Sequence, residues 1–575
     1  MSQRPALMRR PEYAGRAGRA GLVATGISVA LTFVVAVAGT SIMEPPYPGR
    51  PGQPPWALTA HLSPYLAIAL AGGALAVGTM GLALTISAMR RGWVIPARPV
   101  LLAGLVAAVL LTLVPPVGSS DPLSYAAYGR MLVTGHNPYA IGPDVLARLG
   151  DPVARAVQDW YTTPSDYGTV ATGGQALASL VGGTSARLTV FALSVLNLAA
   201  FAGTGLLLHR LARGDRSRQI RAAVLWTCNP LLLQVLVAGE HIDSQAVFFG
   251  VAAVAVFSRT AYGPAWRAAL AAAAAGALAG LGFAIKVTIA LVGAGLAVAA
   301  VQAFRRPAAG TPRPPPGSPR LRLAAVAGGL AAGFSVVAGA ALAIGGPDGF
   351  RQTVRASSMV SIGSPWRVIR TVAHLAMGEA AAGDMVRISA IVLAAVLAVL
   401  LLRGLPAGSW PGSPPESVRP GNPAAAGGGH GAPASAGPAL AGLAGRAALA
   451  FALAWLLAWP YVLPWYDAFA WALLPLVAAS SLDWLLLART AALAFGYLPA
   501  RSAGVVIPAG LGWLQSVVRA GVTPAILAIV TVWVAVRMWR DRRPSSGPDV
   551  GPDGVASGPS ASPARQPAAD GRATG

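Results

Sequence analysis

The segment 118–139 combines an isolated carboxylate with aromatic and basic side chains. Asp121 lies at the end of a long apolar stretch and is followed by Tyr125 and Arg130. A carboxylate facing lipid at this position would cost roughly 3 kcal/mol, so we expect it to face water, protein or substrate. There it could act as a general base toward a hydroxyl nucleophile. A second interpretation, compatible with the first, is that Asp121 caps an interfacial helix with Pro122 at its first position.

Further along the chain, a second group of polar residues could hold a phosphate. His241 and Asp243 lie between two apolar stretches, and Lys286, the chain's only lysine, lies in another short turn. Arg367 and Arg370 follow in a later polar segment. Cations and hydrogen-bond donors of this kind stabilise a departing anion. The structural alternatives are a helix-cap pair for the histidine and aspartate, a snorkelling anchor for the lysine and an amphipathic surface helix for the arginines.

Aromatic residues near the same segments could stack on a sugar. Trp465 and Tyr466 form either such a platform or an interfacial belt, and the same two readings apply to Tyr125 and Tyr167. The His and acidic residues show no close ligand cluster in the sequence. Asp121 also lacks the neighbouring acid with which an Asp-x-Asp motif binds magnesium. We therefore expect catalysis without a metal or another cofactor.

The elements that position these residues must be membrane-spanning helices. Of 575 residues, 55% are hydrophobic and only 11% are charged. The single cysteine, Cys228, excludes an internal disulfide and any multi-thiolate zinc site. Charge-free stretches near the ~20 residues that cross a bilayer predict an all-α polytopic membrane protein with about 12–14 transmembrane helices. The predicted spans are 21–43, 62–89, 99–117, 188–208, 222–239, 244–258, 268–285, 287–304, 323–345, 388–402, 447–466 and 468–482, with two more in 484–538.

The distribution of basic residues predicts the orientation. The formal net charge is +23, which in a soluble protein would suggest a nucleic-acid partner. With the amino terminus inside, however, 29 of the 43 basic residues fall in inner loops and 11 in outer loops. This asymmetry is typical of membrane topology and needs no nucleic acid. We expect a multi-pass plasma-membrane protein with both termini cytoplasmic.

This topology divides the chain into one large membrane domain with few polar excursions. The basic amino terminus is 1–20, the membrane domain is 21–540, and 541–575 is predicted to be a disordered tail. Within the membrane domain, 305–322 and 403–443 read as cytoplasmic linkers, whereas 118–187 and 346–387 are long outer loops with aromatic and charged residues. Long structured loops on one face are where a membrane enzyme would place its site.

The string SSDPLSYAAYGRMLVTGHNPY at 119–139 resembles the first outer loop of the actinobacterial polyprenol-phosphate-mannose-dependent α-(1→6)-mannosyltransferases, which belong to the GT-C superfamily. Four further elements resemble that family's motifs in the same order, over about residues 20–540. They are Asp166-Tyr167-Gly168, then Asn229-Pro230-Leu231 with Gly239-Glu240-His241-Ile242-Asp243, then Phe283-Ala284-Ile285-Lys286, and Leu463-Pro464-Trp465-Tyr466. Ile242 replaces an expected Asn and Thr169 an expected Pro, as in a divergent branch with a changed donor or acceptor.

The resemblance implies a GT-C type bundle with Asp121 as general base. It also implies a polyprenyl-phosphate-mannose donor and, as acceptor, a growing α-(1→6)-mannan or a phosphoinositol-mannoside-type glycolipid of lipomannan type. Transfer from a β-linked mannosyl phosphate to an α-linked product inverts the anomeric centre. One base and groups that hold the leaving phosphate suffice, because phosphate leaves without a second carboxylic acid.

Other classes of function stay open at this point. A related transferase could use a different polyprenyl-phosphate sugar. A secondary transporter or lipid-linked saccharide carrier would have as many spans, with Glu240 and Lys286 lining a pathway, but such proteins usually show two related halves, and no internal repeat is evident here. A non-catalytic scaffold would explain the spans but not a long polar loop that begins with an isolated carboxylate.

Overall fold

The computed structural model describes residues 11–305, 319–405, 436–499 and 506–540. In these ranges the regular secondary structure is helical, apart from an isolated bridge between Ser41 and Glu44. The predicted fold class, an all-α polytopic membrane protein, is therefore confirmed.

Several sequence predictions fall partly or wholly beyond the described residues. They concern most of the basic amino terminus, the central parts of both cytoplasmic linkers and the carboxy-terminal tail. The ranges in question are 1–10, 306–318, 406–435 and 541–575.

Twenty α-helices follow one another along the described chain. They are α1 Pro11–Ala38, α2 Pro64–Arg90, α3 Ala97–Thr112, α4 Asp121–Val133, α5 Pro143–Arg148, α6 Pro152–Arg155, α7 Thr169–Gly182, α8 Ala186–Leu211, α9 Arg216–Ala222, α10 Pro230–Leu232, α11 Asp243–Phe257, α12 Ala265–Phe283, α13 Ala290–Arg305, α14 Pro319–Ser357, α15 Pro365–Met377, α16 Glu379–Gly404, α17 Ala436–Ala458, α18 Ala468–Leu473, α19 Leu482–Gly496 and α20 Thr523–Arg540.

Ten helices in the described ranges are long and apolar enough to cross a bilayer. Two shorter apolar helices, Ala97–Thr112 and Val287–Ala303, raise this number to the lower end of the predicted 12–14. The predicted span 468–482 is not one helix, because α18 has only 6 residues and a 3-10 turn and an extended segment follow it. Proline at position 475 explains this early end, since it cannot donate the next helical hydrogen bond.

Two spans are interrupted part-way along their length. In α14, Gly346 has a non-helical backbone with φ of +62°, and Pro347 follows it, so the segment after the break changes direction. The span Arg216–Ala238 is interrupted at Asn229, whose side chain caps the short helix that begins at Pro230. Both breaks lie in helices that lead toward the same end of the bundle.

The loops that the arginine distribution assigns to one side meet at one end of the bundle, which we call the site end. Backbone hydrogen bonds join them: Val117 donates to Ala238 at 2.7 Å, and Ser361 donates to Pro460 at 3.2 Å. The side chain of Gln352 also donates to the carbonyl of Tyr139 at 3.3 Å. These bonds bring the loops together, whereas the side of the membrane that they face stays a prediction.

Candidate active site

Asp121 is the first residue of α4 and is held at the site end by its preceding loop. The amide of Val117 bonds to Ala238, and that of Gly118 donates to Met43 at 2.8 Å. These two bonds fasten the start of the first long loop to the loops that follow α1 and precede α11. Asp121 is buried, with 8% of its surface exposed. Its carboxylate therefore faces protein and the cleft described below, as expected for a group that cannot face lipid.

The Asp121 carboxylate makes few contacts. Its Oδ1 accepts a hydrogen bond of 3.3 Å from the Trp160 indole, and its Oδ2 lies 3.7 Å from Nδ1 of His241. No side-chain cap hydrogen bond is formed at the start of α4, for which Ser120 is the N-cap residue. The capping interpretation is therefore wrong for Asp121.

Burial raises the pKa of the Asp121 carboxyl to about 7. The neighbouring charge of Asp159 adds to this rise, and the hydrogen bond from Trp160 opposes it. Asp159 is itself fixed by the Ser120 hydroxyl, which donates to Oδ2 at 2.6 Å. A carboxyl that titrates close to neutral pH has the basicity suited to general base catalysis.

Glu240 and His241 form a strained, buried loop beside Asp121. Glu240 has a φ of +53°, which is costly for a residue with a Cβ, and both of its carboxyl oxygens are buried without a protein partner. Burial, with a smaller effect of the Asp121 charge, raises the pKa of Glu240 well above its usual range. Burial, with the charge of Lys286, holds the pKa of His241 well below its usual range. The contact between His241 and Asp121 is thus that of a neutral imidazole.

Lys286 is an interior cation and does not snorkel to the bilayer surface. Its Nζ donates to Oδ1 of Asp243 at 2.6 Å and lies 3.7 Å from the ring centroid of Tyr466. The anchor interpretation for Lys286 and the cap-pair interpretation for His241 and Asp243 are both wrong, because Asp243 pairs with the lysine.

The loop of Asp166, Tyr167 and Gly168 packs directly on the lysine turn. The Gly168 amide donates to Ile285 at 3.1 Å. A Cβ on Gly168 would lie 2.1 Å from the carbonyl oxygen of Ala284, so a larger residue cannot approach this closely. Two motifs that are far apart in sequence therefore form one unit in the fold.

Aromatic rings surround the carboxylate. The hydroxyls of Tyr125 and Tyr167 lie 3.3 Å apart, and their rings meet edge to face. The ring of Trp465 stacks on His241 with centroids 3.4 Å apart and an angle of 12°. Trp465 is only 3% exposed, so the interfacial-belt interpretation is wrong for this residue.

Two cavities adjoin at this end of the bundle. The first, which we call the cleft, has a volume of about 580 Å³. It is lined by Asp121, Ser124, Tyr125, Tyr128, Trp160, Thr163, Pro164, Asp166, Tyr167, Gln352, Arg355, Ala356, Met359, Tyr461, Leu463, Trp465 and Tyr466. The second, which we call the apolar cavity, has about 520 Å³ and is bounded by residues of α1, α2 and α19 together with His241 and Trp465. Trp465 lines both and separates them.

Comparison with known proteins gives a match that includes four of the residues described above. Residues 19–302 match the model of a family described as alpha-(1->6)-mannopyranosyltransferase, N-terminal domain. That range includes Asp121, His241, Asp243 and Lys286. This part of the chain is thus similar to that family. No solved structure matches the chain.

Curated relatives support the same assignment. A probable alpha-(1->6)-mannopyranosyltransferase of Mycolicibacterium smegmatis is 34% identical over 148 residues, 25% of each chain. Alpha-(1->6)-mannopyranosyltransferase B of Corynebacterium glutamicum is 31% identical over 169 residues, 28% of each chain. An alpha-(1->6)-mannopyranosyltransferase of Mycobacterium tuberculosis is 32% identical over 146 residues, 24% of each chain. The matched segment thus spans about a quarter of the length of these relatives.

Arg367 and Arg370 do not line the cleft. Both lie on α15, a helix without buried residues, whose Trp366 indole donates to Ala458 at 2.7 Å. Arg370 pairs with Glu379 at 3.0 Å. The position corresponds to the surface-helix alternative, and a role for these arginines in substrate binding stays a prediction.

The structure adds cleft residues that sequence reasoning missed, notably Arg355 and Gln352, as well as Asp159 beside the base. Arg355 belongs to the same outer segment as the two arginines that were singled out. The sequence signal that could have pointed to Arg355 is Gly346 followed by Pro347, because the break there redirects the helix that carries Arg355. Sequence alone could not choose among several arginines of one loop.

In the ranges that the structure describes, no three His, Cys, Asp or Glu residues are grouped closely enough to hold a metal ion. The carboxylate of Asp121 lies next to the His241 imidazole, and that of Asp243 pairs with the Lys286 ammonium. Metal independence stays a prediction that activity measurements must test.

Proposed function

We propose that this protein transfers mannose from polyprenyl-phosphate-mannose to a growing α-(1→6)-mannan or phosphoinositol-mannoside-type glycolipid. The transfer inverts the anomeric centre, uses Asp121 as general base and occurs at the extracytoplasmic face of the plasma membrane. The family of residues 19–302 supports a mannosyltransferase, that is, a glycosyltransferase.

The observation that carries the proposal is the position of Asp121 at the edge of the cleft. Its carboxylate is buried, has one weak hydrogen bond and has a pKa of about 7. At neutral pH a substantial fraction is ionised and free to accept a proton. A carboxylate with a purely structural role would instead have both oxygens hydrogen-bonded.

The chemistry balances with this one base. The acceptor hydroxyl oxygen attacks the anomeric carbon and forms the new glycosidic bond. The bond from that carbon to the phosphate oxygen breaks, and polyprenyl phosphate leaves with the electron pair. Asp121 takes the hydroxyl proton as the new bond forms. Its protonated form then returns the proton to water.

The two adjoining cavities suit a donor with a polar head and an apolar chain. The cleft carries hydroxyls and carboxyls that can bind a sugar, and tyrosine rings on which its apolar face can stack. The apolar cavity beyond Trp465 offers a lipid chain a surface without charges. Because Trp465 lines both, a single donor molecule can contact both.

The orientation rests on the basic residues. The predicted outer loops together carry 11 basic residues and the inner ones 29, so the rule that basic loops stay inside predicts that the site end faces outward and that both termini are cytoplasmic. Outside the cell nucleotide sugars are absent, so a lipid-phosphate donor is the form in which an activated sugar is supplied.

The test is transfer by membranes that contain the full chain. Radiolabelled polyprenyl-phosphate-mannose and a defined α-mannoside acceptor should give a longer mannoside with a new α-(1→6) linkage. Polyprenyl-phosphate-glucose serves as the competing donor. Labelling from glucose alone would identify a transferase with a different sugar. Movement of the lipid-linked sugar across the membrane without new glycan would instead indicate a carrier and overturn the proposal.

A further inference from the structure

A departing phosphate needs a cation, and most cations near the cleft are already engaged. Lys286 is paired with Asp243 and lies over Tyr466. His241 is buried, and burial together with the charge of Lys286 keeps its imidazole neutral. Arg370 is paired with Glu379 on a helix outside the cleft. Neutralised or distant cations contribute little to the binding of an anion.

Arg355 is the cleft-lining residue that carries a positive charge. It lies on the part of α14 after the break at Gly346, which turns this segment over the site end. One turn earlier, Gln352 donates to the Tyr139 carbonyl and fastens the segment to the first long loop. Residues three apart on a helix share a face, so this bond directs Arg355 toward the cleft.

The guanidinium of Arg355 has no ion-pair partner in the described part of the chain. The contrast with its neighbour Arg351 is direct, because Arg351 lies on the same helix, one turn earlier, and is paired with Asp348. The cleft therefore has carboxylates, Asp121 and Asp166, on one part of its wall and an unneutralised arginine on another. Such a division suits a ligand with a hydroxyl at one end and a phosphate at the other.

We propose that Arg355 binds the phosphate of the lipid-linked donor and holds it as the bond to the sugar breaks. This proposal rests on the proposed function for its substrate class, a polyprenyl phosphate ester. Arginine suits the role because its planar guanidinium donates two parallel hydrogen bonds to phosphate oxygens. The phosphate gains negative charge as it departs, so the contact strengthens along the reaction.

The first experiment measures binding without turnover. Purified full-length protein in lipid nanodiscs is titrated with polyprenyl monophosphate, with polyprenol of the same chain length and with inorganic phosphate. Arg355→Gln should weaken polyprenyl-phosphate binding roughly 10- to 100-fold, the range expected for one lost charge-assisted contact. Arg355→Lys should recover part of the loss, and binding of polyprenol should not change.

The matched control is Arg351→Gln, which removes the same charge one turn away on the same helix. It should bind polyprenyl phosphate like the wild type, which excludes a general effect of net charge. Wild-type affinity in Arg355→Gln would overturn the assignment. Equal competition by inorganic phosphate would also overturn it, because the ligand would then be free phosphate and not the lipid.

The second experiment separates this proposal from the proposed function. With donor and acceptor varied independently, Arg355→Gln should raise the KM for donor and lower kcat, with the KM for acceptor little changed. If no mannose transfer is detected but polyprenyl phosphate binds through Arg355, the transferase proposal fails and the phosphate site stands. If transfer is normal in Arg355→Gln, the phosphate site fails and the transferase stands.

Discussion

Two groups of buried carboxylates in this bundle differ in how completely they are paired. At the end opposite the site, Asp483 accepts hydrogen bonds from Arg221 at 2.6 and 2.7 Å, one on each oxygen. Asp467, the residue after the cleft-lining Tyr466, is equally satisfied, with Arg489 donating to Oδ1 at 2.9 Å and Thr490 to Oδ2 at 2.7 Å. In both carboxylates each oxygen accepts a hydrogen bond from the protein, and the Asp483 pair joins segments 262 positions apart.

The two acidic residues of the loop 240–243 are, by contrast, incompletely paired. Glu240 has no partner on either oxygen, and Asp243 has one unpaired oxygen. Glu240 and Trp160, which both adjoin Asp121, also have positive φ values of 53° and 62°. Unpaired buried groups and strained backbone each cost about 1–3 kcal/mol and persist only where the surrounding fold enforces them. The comparison indicates that paired carboxylates stabilise the bundle and incompletely paired ones remain available for chemistry.

The largest effect should come from Asp121→Asn. Asparagine keeps the shape but cannot accept the acceptor's proton, so turnover should fall about 100- to 10,000-fold. The measurement is turnover of the purified variant, with its melting transition as a folding control. Normal turnover in a folded variant would remove Asp121 from the mechanism and leave Asp166, the other cleft-lining aspartate, to be tested next.

Breaking the ion pair between Arg221 and Asp483 should instead lower the free energy of unfolding. Arg221→Met leaves Asp483 buried and uncompensated, which should cost about 3–5 kcal/mol of unfolding free energy. Its melting temperature and folded yield should fall, while the turnover of the folded fraction stays near that of the wild type. The double variant Arg221→Met with Asp483→Leu should recover most of the loss. A single variant that melts like the wild type would contradict the structural role.

The pH dependence of turnover should report the raised pKa of Asp121. Because protonation removes the base, activity should be half-maximal near pH 7, reach its plateau about one pH unit higher and fall below pH 7, approaching tenfold per pH unit. The profile of kcat/KM for the acceptor, measured on the folded enzyme from pH 5 to 9, tests this. A profile that stays flat down to pH 5 would show that burial does not raise the pKa.

The smallest effect should come from Glu240→Gln. Burial raises the pKa of Glu240 and so favours its protonated form, which an amide of similar shape mimics. Unfolding free energy should change by less than about 1 kcal/mol, and the pH profile should keep its position. A large loss of turnover would instead show that Glu240 exchanges a proton during the reaction. Asp483→Asn is the comparison variant for stability, because it removes the charge of a carboxylate that is paired with Arg221.

The sequence by itself determined the fold class and most of the membrane spans, because the hydrophobicity of about 20 consecutive residues is a local property. It also singled out Asp121, since a carboxylate at the lip of a span is conspicuous without any tertiary information. From the split of 29 inner and 11 outer basic residues it also predicted that the long loops 118–187 and 346–387 lie on one side of the membrane. The span predicted at 468–482 was wrong, because the helix there ends after 6 residues and is followed by a 3-10 turn that contains a proline.

Only the tertiary structure decided which polar groups meet. Lys286 pairs with Asp243 across 43 positions, and Trp465 stacks on His241 from a still more distant segment. Arg355 reaches the cleft because α14 breaks at Gly346 and its extension packs on the first long loop. These contacts depend on the lateral packing of helices, which neither hydropathy nor the spacing within one segment specifies. Whether a buried charge is paired or left available is therefore a property of the assembled bundle.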